Sequence, residues 1–436
     1  MSASRALTWA TIFFTTSACA NAAVGGVDLT SIQSAEGAHG SAAATIDPTG
    51  FPADSGQRAA GAGCPETSDG GEVWRVEVGE SDPILSMSVK SDAAGNVFVT
   101  SARGELQKLS ASGETMWVRP FGSVVDVDSS GAIFLAGTFS GALRLGSSRT
   151  LVAAGGTDVF VAKLDEAGDV LFAVALGSDG DESATSIAAG ADGVVVSGDG
   201  LGTVKLAPSD GSTAWRRPVE GAVAMDDEGD TVVAGALVGT ESFDRSLTSA
   251  GGKDVLVVKL SPDGRYLWSR SFGDQAPDQL AEAVAVDSAG AVFVTGVVEG
   301  SVDFGGGAVS VPSGTCPREA NCGDQAGFVV KLDEAGRFVW SQGVVPARAM
   351  SGVAVAASES VYAAGSNPGD VAPYDTPLLT GFDSRGSKQK LPTYDDRPGA
   401  GHAVATDVCG DVLFAFATNG ATADEAGRAY VAKLAM

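Results

Sequence analysis

The feature that most constrains this chain is a sequence unit that recurs about seven times after residue 71. The first halves of its copies read LSMSVKSDAAGNVFV, SVVDVDSSGAIFLAG, TSIAAGADGVVVSG, GAVAMDDEGDTVVAG, EAVAVDSAGAVFVTG, SGVAVAASESVYAAG and HAVATDVCGDVLFAF. Apolar and polar residues alternate on either side of a turn, which is typical of two half-buried β-strands. One supersecondary unit used repeatedly therefore predicts an all-β repeat fold.

The turn inside each copy is built from Asp and Gly. Aligned on this turn, one strand position is β-branched in every copy: Val89, Val125, Ile187, Val223, Val284, Val353 and Val404. The turn Asp is present in five copies, as Asp92, Asp128, Asp226, Asp287 and Asp407, and its Gly is missing only from the sixth copy. Asp bonds the backbone two residues on, and Gly supplies a positive φ. We expect these aspartates to be turn residues, not acids or metal ligands.

The second half of each copy pairs a Lys-Leu strand with an aromatic strand. The Lys-Leu pairs begin at Lys108, Lys163, Lys205, Lys259, Lys331 and Lys433, and the aromatics are Trp117, Phe172, Trp215, Trp268 and Trp340. The sixth copy has Gly381-Phe382 in place of Lys-Leu and no evident aromatic. Because the tryptophans recur at one position, we expect them to pack between units rather than to stack on sugars.

The first strand and the last copy complete each other. Trp74 lies in EVWRVEVG, which has no repeat before it, and the seventh copy has no tryptophan strand behind it. Pairing the two closes a ring and removes free sheet edges. We therefore predict a seven-bladed β-propeller over residues 71–436, with four antiparallel strands per blade. The N-terminal strand, at about 72–78, completes the last blade, the Asp-Gly strand is innermost, and the tryptophan strand is outermost.

Residues 1–22 have the features of an export signal. Arg5 precedes the apolar segment Ala6 to Ala18, which is shorter than the ~20 residues that span a bilayer. Two cleavage sites remain open. Thr16-Ser17-Ala18-Cys19 resembles a degenerate lipobox, in which Cys19 would be acylated, and cleavage after Ala20 or Ala22 is the alternative. Either predicts an exported protein, at the cell envelope as an outer-membrane lipoprotein or outside the cell.

Residues 23–70 are rich in Gly, Ala and Ser and predict a flexible tether. Apart from Cys19, the cysteines are Cys64, Cys316, Cys322 and Cys409, an even number in a compartment that permits disulfides. Cys316 and Cys322 lie six residues apart and are the expected local pair, which leaves Cys64 with Cys409. A zinc site is the alternative, but no C-x-x-C pair or nearby His supports it.

The charge of the chain narrows the set of partners. A net charge of -26 and a pI of about 4.3 repel nucleic acid and anionic lipid, so we expect neither as a partner. Contact with a membrane is expected only through the N-terminal lipid anchor. We expect a monomer.

The fifth copy carries a family resemblance. FGDQAPDQLAEAVAVDSAGAVFVTG followed by GFVVKLDEAGRFVWSQG resembles the SBBP-type seven-bladed β-propeller repeats of exported bacterial proteins. The resemblance is strongest at 222–343 and weakest in copy six. It implies the fold and little about activity, because that family is defined by its repeats. The Lys-Leu and Trp half also resembles PQQ-like propeller repeats, including those of a lipoprotein scaffold in outer-membrane assembly.

Function is expected where long connections share one face of the propeller. The links between second and third strands are long in copies two, four and five, and inter-blade links join them at that face. The expected ligand-binding face carries these residues: Asp179, Asp181, Glu182, Asp274, Asp278, Glu282, Asp303, Asp324 and His402. Asp179, Asp181 and Glu182 offer oxygen ligands for Ca²⁺ but lack the full loop of an EF-hand. We expect no other cofactor.

Catalytic motifs are sparse. The two histidines are His39 in the tether and His402, and no G-x-S-x-G elbow accompanies them. The sequence thus favours a non-enzymatic scaffold that binds a protein or glycan partner through its loop-rich acidic face. The alternative is a polysaccharide-active hydrolase or lyase that uses carboxylates in the propeller mouth.

Overall fold

A computed structural model of the chain describes residues 71–81, 87–101, 104–146, 149–275, 278–310, 325–345, 347–368, 375–394, 398–419 and 427–436. The chain divides into Met1–Gly56 and Gln57–Met436, and every described residue belongs to the second part. The described residues contain strands and turns but no helix, and so none that could cross a membrane.

The strands follow one another along the chain as the repeat predicts. The first fifteen are β1 (Glu72–Ser81), β2 (Val89–Ser91), β3 (Val97–Thr100), β4 (Leu106–Leu109), β5 (Thr115–Arg119), β6 (Val124–Val127), β7 (Ile133–Leu145), β8 (Arg149–Leu164), β9 (Val170–Leu176), β10 (Ser186–Gly190), β11 (Gly193–Gly198), β12 (Gly202–Leu206), β13 (Thr213–Arg217), β14 (Ala222–Met225) and β15 (Thr231–Ser242). The others are β16 (Ser246–Leu260), β17 (Tyr266–Phe272), β18 (Gln279–Val286), β19 (Val292–Glu299), β20 (Ser301–Asp303), β21 (Ala308–Ser310), β22 (Gln325–Leu332), β23 (Phe338–Val344), β24 (Ala349–Val355), β25 (Val361–Pro368), β26 (Asp375–Phe382), β27 (Lys388–Gln389), β28 (Gly399–Thr406), β29 (Val412–Thr418) and β30 (Gly427–Leu434).

These strands form seven four-stranded antiparallel sheets, counted over the described residues. Blades 1 to 4 are β2–β5, β6–β9, β10–β13 and β14–β17, blade 5 is β18-β19-β22-β23, blade 6 is β24–β27, and blade 7 is β28-β29-β30-β1. The first strands of neighbouring blades touch in the order β2, β6, β10, β14, β18, β24, β28 and back to β2. The predicted seven-bladed propeller is therefore confirmed, with the Asp-Gly strand innermost.

Blade 7 closes the ring by pairing the two ends of the described chain. Strand β1 runs antiparallel to β30, with Trp74 opposite Lys433, Val76 opposite Val431 and Ser81 opposite Gly427. The backbone N–H of Ala435 also donates to the carbonyl of Gly71, at 3.0 Å. The closing strand extends to Ser81, three residues beyond the predicted end.

Each blade has two ends, which we name by their connections. The link face carries the second-to-third-strand links and the inter-blade links, and the turn face carries the turns between strands one and two and between strands three and four. At the turn face, Asp287 Oδ1 accepts the N–H of Ala289 and of Ala291, at 3.0 and 2.8 Å. In the sixth blade, which lacks the turn Gly, Glu359 takes the left-handed conformation instead, at φ 61°.

The aromatic residue of strand four packs on the next blade. Trp268 in blade 4 donates its indole N–H to the Glu334 carbonyl in blade 5, at 2.9 Å, and is only 8% exposed. Its ring covers Gly336, where a Cβ atom would lie 2.9 Å from the indole and where φ is +71°. Equivalent indole bonds join Trp74 to Ala111, Trp117 to Glu166, Trp215 to Pro262 and Trp340 to Ser384. The tryptophans are therefore inter-blade anchors, as expected.

Blades 2, 4 and 5 carry an extra hairpin beyond their four strands. Each extension follows a glycine at positive φ, namely Gly141 (64°), Gly239 (66°) or Gly300 (80°). In blades 2 and 4 this glycine falls in a register shift of the strand pair. A bulge bends a strand away from its sheet. The described parts of the long links that the sequence predicts in copies two, four and five therefore form hairpins.

These hairpins fold back along the outer strand of their own blade. In blade 2, Leu145 is buried against Val170, and Arg149 Nη2 donates to the Leu171 carbonyl at 3.0 Å. In blade 4, the rings of Phe243 and Tyr266 meet edge to face, 5.5 Å apart. In blade 5, Val309 contacts Gly343, and Gly306 lies against the ring of Phe338. Each hairpin thus runs from the link face toward the turn face over strand four.

We predict that Trp268→Ala lowers the free energy of unfolding by ~3–5 kcal/mol, because it removes a buried ring and the indole bond to blade 5. Urea denaturation followed by circular dichroism measures the effect. Leu267→Ala is the matched control, because Leu267 is the neighbouring residue on the same strand and its side chain is 42% exposed. Unfolding of Trp268→Ala at the same urea concentration as Leu267→Ala would show that the blades are not joined in this way.

Candidate functional site

The centre of the ring holds a cavity of about 230 Å³ lined by the first strands of all seven blades. Its charged side chains are Lys90 and Asp126, whose Nζ and Oδ1 atoms lie 3.3 Å apart. Asp126 Oδ2 also accepts the backbone N–H of Ala189, at 2.8 Å. The other lining residues are mainly Ala and Val. Asp126 is the one carboxylate that lines this cavity within the described residues. It contacts Lys90 in blade 1 and Ala189 in blade 3, and so joins blades 1, 2 and 3.

The link between blades 2 and 3 carries Asp179, Asp181 and Glu182. Asp181 Oδ1 accepts the N–H of Thr157 at 2.9 Å, which ties the link to the extra hairpin of blade 2. Glu182 is 5% exposed and accepts from the backbone N–H and the hydroxyl of Ser178. Asp179 is exposed. The carboxylates of Asp181 and Glu182 therefore order their own loop, and calcium binding at this predicted triad stays a prediction.

The second acidic group lies in the link between blades 4 and 5. Asp274 accepts the Ser301 hydroxyl at 2.7 Å and the Gln279 amide at 3.3 Å. The Asp278 carbonyl accepts the N–H of Glu299 at 2.9 Å. These contacts fasten the link to the base of the blade 5 hairpin.

Asp303 lies apart from Asp274 and Asp278, at the tip of the blade 5 hairpin. Its Oδ1 accepts the N–H groups of Gly305 and Gly307, at 2.7 and 3.0 Å, and these bonds lower its pKa. Asp324 falls outside the described residues, as do Cys64, Cys316 and Cys322. The structure thus places the described residues of the predicted face in separate groups, in the link between blades 2 and 3, in the link between blades 4 and 5 and on the blade 5 hairpin, and not in a single pocket.

Glu282 and His402 occupy equivalent places in blades 5 and 7. Each lies where its first strand shifts register against the second. Glu282 Oε2 accepts the N–H of Met350 at 2.7 Å and so joins blade 5 to blade 6. His402 Nε2 is buried with no hydrogen-bond partner in the described part of the chain. Burial lowers the pKa of His402 to about 4.

Cys409 is disulfide-bonded. Because all other cysteines lie outside the described residues, its pairing with Cys64 stays a prediction. Asp407, Cys409 and Asp411 come close enough together to hold a metal ion. However, Lys433 Nζ occupies this cluster, 2.5 Å from Asp407 and 3.4 Å from Asp411, and a disulfide sulfur is not a thiolate ligand. The donor set does not fit a metal centre.

Lysines at the turn face are the functional group that the sequence pattern did not reveal. The Lys of the Lys-Leu strand turns toward the Asp of the first turn in its own blade, as in Lys259, which lies 3.0 Å from Asp226 and 3.1 Å from Asp230. Burial alone would lower the pKa of Lys259, but its hydrogen bonds to the two carboxylates outweigh burial and raise it. The strand Lys and the turn Asp both recur from copy to copy in the sequence. Their recurrence in the same copies was the signal that could have predicted these ion pairs.

Comparisons with known proteins concern the fold. No protein-family model and no curated protein matches the chain. The chain is similar to BamB from Moraxella catarrhalis, at 13% identity and a TM-score of 0.42, over 83% of this chain and 99% of that one. It is also similar to quinohemoprotein alcohol dehydrogenase from Comamonas testosteroni, at 13% identity and a TM-score of 0.39. That match covers 78% of this chain and 65% of the dehydrogenase. The propeller assignment rests on the strand pairing itself.

We predict that Lys259→Met lowers the free energy of unfolding by ~3–5 kcal/mol, because it leaves Asp226 and Asp230 without their cation. Lys390→Met, at an exposed lysine, is the control and should change stability by less than about 0.5 kcal/mol. The pKa of Lys259, ordinarily 10.5, is raised in the folded state, so the difference should persist as the pH rises from neutral to about 10 and disappear as the ammonium loses its proton above that. Equal urea midpoints for the two variants would show that the ion pairs of Lys259 with Asp226 and Asp230 do not stabilise the fold.

We predict that His402 makes the protein less stable in acid. The unfolded chain takes up a proton near pH 6.5 that folded His402 does not bind until about pH 4. Stability is therefore unaffected above pH 6.5 and falls by about 2–3 kcal/mol between pH 7.5 and pH 4.5 from this residue. Urea titrations at both pH values should show a smaller drop for His402→Gln than for the wild type. An identical drop in the two proteins would contradict burial of the imidazole.

Proposed function

We propose that the protein is an exported, non-enzymatic propeller scaffold that binds a protein or glycan partner through its link face and the attached hairpins. The observation that carries this proposal is the presence of three hairpins among the described residues that the ring does not require. Blades 1 and 3 take part in the same ring with four strands and short links. Ordered additions to a rigid scaffold are where binding usually resides.

The hairpins present side chains suited to contact with a partner. Val152 on the blade 2 hairpin is 68% exposed, and Val238, where the blade 4 hairpin leaves its blade, is 58% exposed. Exposed apolar side chains such as these stabilise a complex when a partner buries them, because apolar surface is then removed from water. Asp179 and Asp181 are exposed in the adjoining link. A partner with a basic surface would match this arrangement, because complementary charge speeds association and selects partners.

Export and the family assignment are supported by the sequence alone. The apolar segment Ala6 to Ala18 and the residues around Cys19 support an exported protein with a lipid anchor at the cell envelope. The repeat pattern at 222–343 supports membership of the SBBP-type repeat family.

The test compares capture by surface variants. The wild type, the double variant Val152→Ser/Val238→Ser and the control Val408→Ser are immobilised, and proteins of the source cell envelope are captured and quantified by mass spectrometry. Val408 is a matched control, because it is 57% exposed but lies in the first turn of blade 7, at the turn face. We expect the double variant to lose at least about tenfold of a partner that the wild type and the control retain. A glycan array probed with the same three proteins covers the carbohydrate partner.

Equal capture by the three proteins would overturn the proposed surface. Release of reducing ends from a polysaccharide by the wild type would overturn the non-enzymatic assignment. Melting temperatures of the three proteins should agree, since all three substituted valines are exposed.

A further inference from the structure

The turn-face lysines form a repeated series with one exception. Five of the six have a carboxylate within 4.0 Å, counted over the described residues: Lys108 with Asp92 and Glu166, Lys205 with Asp192, Lys259 with Asp226 and Asp230, Lys331 with Asp287 and Glu359, and Lys433 with Asp407 and Asp411. Glu166 and Glu359 come from the neighbouring blade. A carboxylate beside this ammonium is therefore the rule at these blade junctions.

Lys163, between blades 2 and 3, breaks the rule. Its Nζ atom donates to the carbonyl of Pro208 at 3.0 Å and lies 5.1 Å from the ring centroid of Phe134. Within the described residues, no carboxylate comes within 4.0 Å of it. Asp128 stands where the other blades have their partner. Its Oδ1 accepts the N–H groups of Ser130 and Ala132, as Asp287 Oδ1 does for the N–H groups of its own turn, and also the Ser130 hydroxyl.

A longer turn in blade 3 explains the exception. The turn between its third and fourth strands is closed by Ala207 N to Ser212 O and by Gly211 N to Ala207 O. The matching turn of blade 4 is closed by Ser261 N to Arg265 O and by Gly264 N to Ser261 O, and so has one residue fewer. The extra residue places the Pro208 carbonyl at Lys163, and a neutral carbonyl replaces a charged partner.

A pocket of about 330 Å³ opens at this junction. Its lining consists of Asp128, Ser129, Ser130, Lys163, Ala191, Pro208 and Ser209. An ammonium has three N–H donors, and Lys163 uses one of them in its hydrogen bond to the Pro208 carbonyl. The pocket therefore offers a cation with free donors, three hydroxyls and one carboxylate. Its size is at the lower end of the range for small-molecule sites.

We propose that this pocket binds a sugar acid, with the ligand carboxylate at Lys163 and ligand hydroxyls at Asp128 and the serines. The carboxylate supplies the partner that the other junction lysines have within the chain. Hydroxyls are needed because Asp128 repels a bare anion but accepts hydrogen bonds from a polyol. The site lies at the turn face and is independent of the partner surface proposed above.

The test uses D-glucuronate as the probe and D-glucose as the uncharged control. Isothermal titration of the full-length protein should show binding of glucuronate and at least about tenfold weaker binding of glucose, because a charge-assisted bond is lost. Lys163→Met should reduce glucuronate affinity by a similar factor, whereas Lys388→Met, at an exposed lysine, should leave it unchanged. Melting temperatures identify any variant that does not fold.

A measurement on the wild type alone keeps the proposal open to refutation if Lys163→Met does not fold. Amide NMR shifts on adding glucuronate should be confined to residues around Ser129, Ala191 and Ser209. No binding at 20 mM (roughly the upper limit for a specific weak site) would overturn the proposal. Equal binding of glucuronate and glucose, or shifts centred on Lys90 in the central cavity, would do so as well.

Discussion

Pairing of β1 with β30 is the contact on which the rest of the structure depends. Each blade buries its faces against two neighbours, so an open row of blades would expose one face at either end and leave unpaired strand edges. The pairing removes both costs in one step. It does so by joining segments from opposite ends of the described chain. The pairing of β1 with β30 is also the longest pairing between a third and a fourth strand in the described blades. Each four-stranded blade therefore has both faces covered only inside the closed ring.

Ring closure also explains why the sixth repeat lacks the aromatic residue of strand four. In other blades, the aromatic residue of strand four rests on a glycine turn between strands three and four of the next blade. Blade 7 has no such turn, because its third and fourth strands come from the two ends of the described chain. An aromatic at the usual place in blade 6 would have nothing to cover. Tyr394 fills the junction instead, against Phe414 and Phe416, with the Arg75 guanidinium over its ring.

The turn face shows how an acidic protein places its few cations. The chain has 28 Lys and Arg against 54 Asp and Glu, yet the Lys-Leu lysines are mostly buried rather than spread over the surface. All of them except Lys163 join the first turn of their blade to the third strand, and some reach the neighbouring blade. A buried ammonium is tolerated only with close acceptors. The exception at Lys163 is informative for this reason, because the close acceptor of its ammonium is the Pro208 carbonyl and not a carboxylate.

The sequence by itself determined the four-stranded blade, the blade count, the turn chemistry and the closure, because each depends on local periodicity or on the order of segments along the chain. Asp287, Gly290 and Trp340 have the roles that their positions in the repeat predicted. Tertiary structure alone decided the rest. The carboxylates of Asp181 and Asp274 contact groups 24 or more residues away, and the hairpin of blade 4 turns outward at Gly239. Such contacts depend on distances between blades and on the bend at a bulge, which no single repeat contains. The pocket at Lys163 arises in the same way, from one extra residue in a neighbouring blade.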